Sequence, residues 1–520
     1  MKPSASKLEP ARRLLERGDP IVALAGIWLA MLVVQNATPN IIGIDGYYHI
    51  KFASLMWREG VRVDFPYLPL TILNEQAFTD HHLLYHIFLM PFALGDLKAG
   101  AKLAGLLSGV AAIFGVYWLM ARLKVRYPLI WLAVLLASAE WFLVRQNMTR
   151  RQSQSLLLLV LATWLLLTAR YRWLALVGFL YAWLFDGFVL LIAVVGVGLL
   201  SRLIVERRIV WPLVGWTLLG LGAALVINPY FPNNVTFTYL HVLPKIQTDP
   251  EIRVGTEWYP YPLDVKLRTS WLSLAVVPLG LLPALLRPGA ARRDAKFLIL
   301  AGLALLFGDL YWSSRRFIEY SPAFAVLLCA YSWSHLWSGA AWRAPACLLA
   351  RLPLWTVANG ALKTIAAPLL AMVVVAGLGW QLRHTIVEAR LMASDDLRDD
   401  RFQAPIRFIA ENSPSRSPLF HTDWDEFPEL FFHSTHNTYM VGLDPTYMAQ
   451  ADRGRYLLWR SITRGEIEHP SEHIRTTFGA SWVLTDRARE HQAFIGAADR
   501  DPGLQRVLET PYAVVYRLTR

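Results

Sequence analysis

"IVALAGIWLAMLVVQNATPNIIGIDGYYHIKFASLMWREG", residues 21–60, joins two patterns that do not belong together in a soluble domain. It opens on a nearly unbroken apolar run that ends near Ala37. A transmembrane helix takes roughly 20 mostly apolar residues. Directly past the run stand Asp45, Tyr47, Tyr48 and His49. A loop that merely joins two spans needs no such cluster at the membrane surface. An acid among aromatics there suits chemistry at the lipid interface.

The rest of the chain repeats the first pattern. Of 520 residues, 55% are hydrophobic, with 21 Trp, 20 Tyr and 24 Phe. Apolar runs recur as "LAGLLSGVAAIFGVYWLM", "SLLLLVLATWLLLTA" and "LAVVPLGLLPALL". The expected fold is an α-helical polytopic membrane protein with about eleven transmembrane helices. They centre near residues 29, 110, 136, 162, 178, 195, 219, 278, 304, 327 and 372. The basic N-terminal stretch lacks a short apolar core with a small-residue cleavage site, so it reads as no cleavable signal. Cys329 and Cys347 are too few for a disulfide framework or a thiolate metal site. The net charge of +12 falls largely in short loops, where it sets topology and does not point to nucleic acid.

A basic N-terminus stays cytoplasmic. Alternation then puts "ARLKVRYP", "ARYR", "SRLIVERR" and "RPGAARRDAK" on the same side. An odd number of spans places the C-terminus outside, and the absence of targeting signals suggests a plasma (inner) membrane. This topology gathers Asp45, Asp80, His81, His82, Asp186, Glu257, Arg315, Arg316 and Glu319 at the outer face. Ionisable residues at membrane depth are costly and usually functional. Each also has a plain reading: Asp45 or Asp186 as a helix cap, the arginines as interface anchors.

Two outer loops are long, 38–99 and 228–269. Long loops are commonly functional. The first carries an amphipathic stretch, "HIKFASLMWREG", and a short helical one, "HHLLYHIFLMPFAL", read as interfacial or re-entrant. A transmembrane domain over 1–384 then gives way to a soluble segment over 385–520. There "SPLFHTDW", "TYMVGLD", "ASWVLTD" and "YAVVYRLT" read as strands between helical pieces, a small α/β domain over the outer face.

With these residues placed, the chain resembles the GT-C membrane glycosyltransferases, and among them the catalytic subunit of oligosaccharyltransferase. Asp45 in "GIDGYYHIKF" stands where that family carries a catalytic aspartate. "VGTEWYP" is similar to a loop motif matched by Glu257 and Pro260. "SRRFIEYSPAFAVL" is similar to an Arg-Phe pair before a proline-led span, with Arg316 where an arginine faces lipid phosphate. "TDWDEFPEL" resembles a degenerate WWDYG motif, with Trp424 and Asp425 at its second and third letters. The resemblance implies transfer from a polyprenyl-linked sugar donor to a protein or glycan acceptor.

The departures are equally specific. The family's second acidic motif falls on "VRQNMTRRQSQSLLLL", where Ser153, Gln154 and Ser155 replace carboxylates. A hard divalent cation such as Mg or Mn wants several oxygen ligands with carboxylate charge. Asp423 stands for the first Trp of WWDYG and Glu426-Phe427 for its Tyr-Gly, so recognition of an asparagine acceptor does not carry over.

The chemistry assigns roles accordingly. Asp45 is the expected general base, with Glu257 beside it in catalysis. Arg316 and Arg315 offer donors to phosphate oxygens, and Arg150 or Arg151 replaces a metal's charge. Tyr48, Trp424 and Asp425 complete the substrate-binding set. The remaining divalent-metal candidate is Asp45 with His81 or His82 and Glu257. Two other classes compete: a catalytically inactive relative that binds lipid-linked glycan or a partner, and a transporter or flippase. No internal repeat or pair of broken midplane helices favours the last.

Overall fold

The computed structural model describes residues 18–246, 251–252, 254–336, 360–394 and 400–519. The chain is mostly helical, with one small sheet near its C-terminus. A helix lies at each of the eleven expected positions, from Pro20–Gln35 to Gly360–Ser394. Among the described residues four helices are long and apolar enough to cross a membrane by length and composition: Leu97–Arg122, Asp186–Glu206, Leu263–Leu286 and Ala295–Ser313. Leu97–Arg122 sits at the centre, most of its apolar stretch buried against other helices.

The span expected near residue 136 is broken. Pro128–Leu136 and Glu140–Asn147 meet at 87°. An interrupted helix frees backbone carbonyls, which an apolar setting tolerates only if other groups satisfy them. Ala137 O receives the Thr385 hydroxyl at 3.1 Å and the Gln381 amide at 3.4 Å. Ser138 O receives the backbone N–H of Ser273 at 3.3 Å. The bend carries the second half, with Arg145, to the cavity described below.

The long segment 38–99 forms the helix Asp45–Glu59, then the short helix Leu83–Leu89, which a 3-10 turn continues. The Gly360–Ser394 helix runs on past residue 385, where the composition changes; residues 395–399 of the charged stretch lie outside the described ones. Beyond it five strands form a sheet: β1 Pro418–His421, β2 Thr438–Tyr439, β3 Trp482–Asp486, β4 Leu504–Glu509 and β5 Ala513–Leu518. Their order is β2-β1-β3-β5-β4, with β1 parallel to both neighbours and β5 antiparallel to both of its own. Four strands fall in the expected segments.

The sheet domain and the first loop share one core. Tyr48, Phe52 and Phe65 pack with Phe427, Phe431 and Trp482. Backbone bonds tie the two, Tyr439 N to Tyr67 O at 2.8 Å and Ile72 N to Tyr447 O at 3.1 Å. The domain is thereby fixed over the ends of the apolar helices.

Candidate active site

Between the helix ends and this domain lies a cavity of about 580 Å³. Asp45, Arg145, Arg150, Arg151, Asp186, Glu257 and Arg316 line it from below, and Trp424, Asp425, Glu490 and His491 from the domain. Two glycines place the aspartate. Gly43 has φ +79°, a left-handed turn that side chains rarely adopt, and turns the chain into the Asp45–Glu59 helix. At Gly46 a Cβ would come to 2.5 Å from Ile41 Cγ2 and 3.1 Å from Thr149 Cβ, so glycine eases the close approach of the helix start to the 149–151 segment.

That approach makes an ion-pair network. Arg150 Nη2 stands 2.8 Å from Asp45 Oδ2 and its Nη1 3.2 Å from Glu257 Oε2. Arg145 donates to Glu319 at 2.6 Å and Glu257 at 3.2 Å. Arg316 reaches the other Glu257 oxygen at 3.1 Å while stacking over Trp258 at 4.7 Å. Burial opposes ionisation of Glu257, but the guanidiniums of Arg150, Arg316 and Arg145 overcome it and hold this carboxyl well below the usual range. Asp45 makes no capping bond: it is the first residue of its helix, with its carboxylate turned to the arginines. Its side chain keeps 32% exposure, enough to meet a substrate in the cavity.

Other expected residues fall elsewhere. Arg315 does not line the cavity; it donates to the carbonyls of Tyr259 and Pro260 and stacks over Tyr261, and so fixes the loop that carries Glu257. Successive residues of a 3-10 turn point in different directions, which separates Arg315 from Arg316. Tyr48 touches the cavity but is 2% exposed and packed among Phe52, Phe65, Phe427 and Phe431, a place that joins the loop to the domain. Trp424 and Asp425 do face the cavity, and burial raises the Asp425 carboxyl well above its usual value.

The expected metal set is not assembled. Among the described residues no three of Asp45, His81, His82 and Glu257 bring ligand atoms within 4.8 Å of one another. Instead the Arg150 guanidinium bridges Asp45 to Glu257. The positions of the lost acidic motif are neutral and engaged: Ser153 donates to Gln146 O, Gln154 to Ser108, and Ser155 bonds Tyr181 and Tyr320. The donor set around Asp45 does not fit a divalent cation. Groups of suitable geometry lie in the domain instead, Asp423/Glu490/His491 and Glu426/Asp486/His491.

Sequence reasoning missed two features. Arg145 stands in "VRQNMTRRQSQSLLLL", the stretch after the third span, where only Arg150 and Arg151 were read as cations for the site. His241 meets Asp186 in an ion pair and places its Nδ1 3.0 Å from the Tyr447 hydroxyl. Its signal was faint, one histidine in a loop without period.

Solved structures share this architecture. The archaeal oligosaccharyltransferase AglB from Archaeoglobus fulgidus, in complex with an inhibitory peptide and a dolichol-phosphate, superposes with a TM-score of 0.64 at 13% identity, over 93% of this chain and 71% of that one. The fold is GT-C. ArnT from Cupriavidus metallidurans bound to undecaprenyl phosphate superposes at 0.53 and 17% identity, over 95% of this chain and 97% of that one. The arabinofuranosyltransferase AftD from Mycobacteria gives 0.54 at 14%, over 96% of this chain and 41% of that one. At such identities the likeness is one of GT-C fold. No family model and no curated protein matches the sequence.

Proposed function

We propose that the chain is an integral membrane glycosyltransferase that moves a sugar or oligosaccharide from a polyprenyl-phosphate or -pyrophosphate carrier to an acceptor at the outer face. The observation that carries this reading is Asp45, held beside Arg150 and Arg151 and open to a cavity that also holds Arg316. Two neighbours of the same fold hold polyprenyl phosphates, dolichol-phosphate in AglB and undecaprenyl phosphate in ArnT. The full span count, the cytoplasmic N-terminus and the outer placement of the domain belong to this proposal, as does a plasma-membrane location.

The residues divide the work. Asp45 takes the proton from an acceptor hydroxyl or amide as that atom bonds to the anomeric carbon. The bond from that carbon to the carrier oxygen breaks, and its electron pair leaves with the phosphate. Arginines aimed at those oxygens stabilise the growing charge without reorganising. Glu257 does not touch the reacting atoms in this scheme; it holds three of the guanidiniums in place.

The test uses lipid-linked sugars extracted from membranes. Mass spectrometry reads release of the free polyprenyl phosphate or pyrophosphate in the presence of membrane acceptors. The unsubstituted protein releases it and Asp45→Asn does not. Release undiminished by Asp45→Asn would refute Asp45 as base; no release by the unsubstituted protein would count for the inactive relative.

A further inference from the structure

This inference rests on the transferase reading and deepens it. A buried chain of side chains runs from the first outer loop into the cavity. Asp80 accepts from His86 Nδ1 at 2.8 Å, His86 Nε2 lies 2.8 Å from His49 Nδ1, and His49 Nε2 lies 3.3 Å from Arg151 Nη1. Asp80, His49 and His86 are at most 2% exposed. A guanidinium only donates. His49 Nε2 is therefore the acceptor, so its Nδ1 carries the proton and donates to His86 Nε2. His86 then carries its own proton on Nδ1 and donates to Asp80. One tautomer of each imidazole satisfies the chain, with both rings neutral.

The four arginines differ in how far they are neutralised. Arg145 and Arg150 each touch two carboxylates, and Arg316 one. Among the described residues Arg151 has Asp45 as its one carboxylate within 4 Å, 3.8 Å away; Asp186 acts on it from farther off while paired to His241, and its other neighbours are His49 and the face of Phe185 at 4.9 Å. Its Nε is buried without a partner in the protein, as are those of Arg145 and Arg150. Buried donors without acceptors are costly, so the three point to a ligand that supplies acceptors, and Arg151, without a carboxylate closer than 3.8 Å, is the least neutralised of them. An aspartate in place of His49 would hold Arg151 equally well but cancel its charge. A neutral imidazole holds it and leaves the charge for an anion.

We propose that Arg151 is the principal receiver of the carrier's phosphate, and that Asp80, His86 and His49 are positioning residues that fix it without neutralising it. Affinity for undecaprenyl phosphate and for uncharged undecaprenol, measured side by side in nanodiscs, tests this. His49→Leu removes the acceptor from Arg151. An Arg151 no longer held by His49 must be ordered on binding, which corresponds to a loss of up to about tenfold in affinity. The expected result is that loss for the phosphate lipid, no change for undecaprenol, and recovery to within about threefold in His49→Gln, whose carbonyl accepts again. Should His49→Leu not fold, Asp80→Asn is read in the same way from the far end of the chain. Unchanged phosphate affinity, or equal loss for both lipids, would overturn the proposal. Failure of the unsubstituted protein to prefer the phosphate lipid would overturn the transferase reading as well.

Discussion

Replacing Glu257 by Gln probes the network most sharply. The carboxylate receives Arg145 and Arg150 at 3.2 Å on one oxygen and Arg316 at 3.1 Å on the other, at 20% exposure. The amide keeps the volume and one acceptor but removes the charge. Severing a buried pair by neutralising one partner costs about 3–5 kcal/mol, and with an acceptor retained the lower end, about 3 kcal/mol, is expected. Arg145 keeps Glu319 and Arg150 keeps Asp45, whereas Arg316 loses its carboxylate. The cluster gains one positive charge. Ground-state affinity for undecaprenyl phosphate therefore rises or holds, while turnover falls about 100-fold because oriented donors are lost. Thermal unfolding in detergent, followed by tryptophan fluorescence, reads the stability; donor titration and turnover read the rest. The pH sign follows from the depressed carboxyl. Its stabilisation is present above the unfolded value of about 4.3 and is lost as pH falls through the lower folded value. The two proteins should thus converge in acid. A Gln variant that unfolds and turns over like the original would refute the reasoning.

Four other outcomes are expected. A chelator such as EDTA leaves turnover within about twofold, because arginines stand where a cation's charge would act. Arg315→Ala leaves affinity for undecaprenyl phosphate unchanged but loosens the Glu257 loop, read as faster hydrogen exchange over residues 254–260. Burial would lower His491, but its bond to Asp486 with the nearby Glu426 raises it to about 9. Its stabilisation is then full below about pH 6.5 and is lost as pH rises through the folded value, about 3 kcal/mol in all; His491→Gln should flatten the unfolding profile over that window. Thr385→Val removes one donor from the carbonyl freed at the bend and lowers stability by about 1–2 kcal/mol, checked by thermal unfolding.

The helical plan was legible because each apolar run is itself the reason for a buried helix. The bend after Leu136 was not, since nothing local marks it: the groups that satisfy its carbonyls come from Ser273, Gln381 and Thr385, far along the chain. Strand β4 escaped for a related reason. It lies at the sheet edge with "LQRVLE" mostly outside the core, so it lacks the apolar alternation that marked the other strands. Within the site, Asp45, Glu257 and Arg316 were named from an expected outer-face placement and the family resemblance, Arg150 and Arg151 from their nearness to the lost acidic motif, and the structure brings all five to one cavity. Spacing could not say which partner each would take. Arg315 and Arg316 are neighbours in sequence yet serve the loop and the cavity separately, and Asp45 and Glu257, two of the expected metal ligands, are bridged by an arginine. His49 stood in the opening stretch, but its use depends on His86, 37 residues later, and Arg151, 102 residues later.

The most direct measurement is a titration of undecaprenyl phosphate into the protein in nanodiscs, in EDTA and then with added Mg, comparing the original with Arg316→Ala and Arg151→Ala. The account predicts binding that is indifferent to the metal and weakened about tenfold or more by either substitution. Binding that appears only with Mg, or that neither substitution weakens, would contradict it.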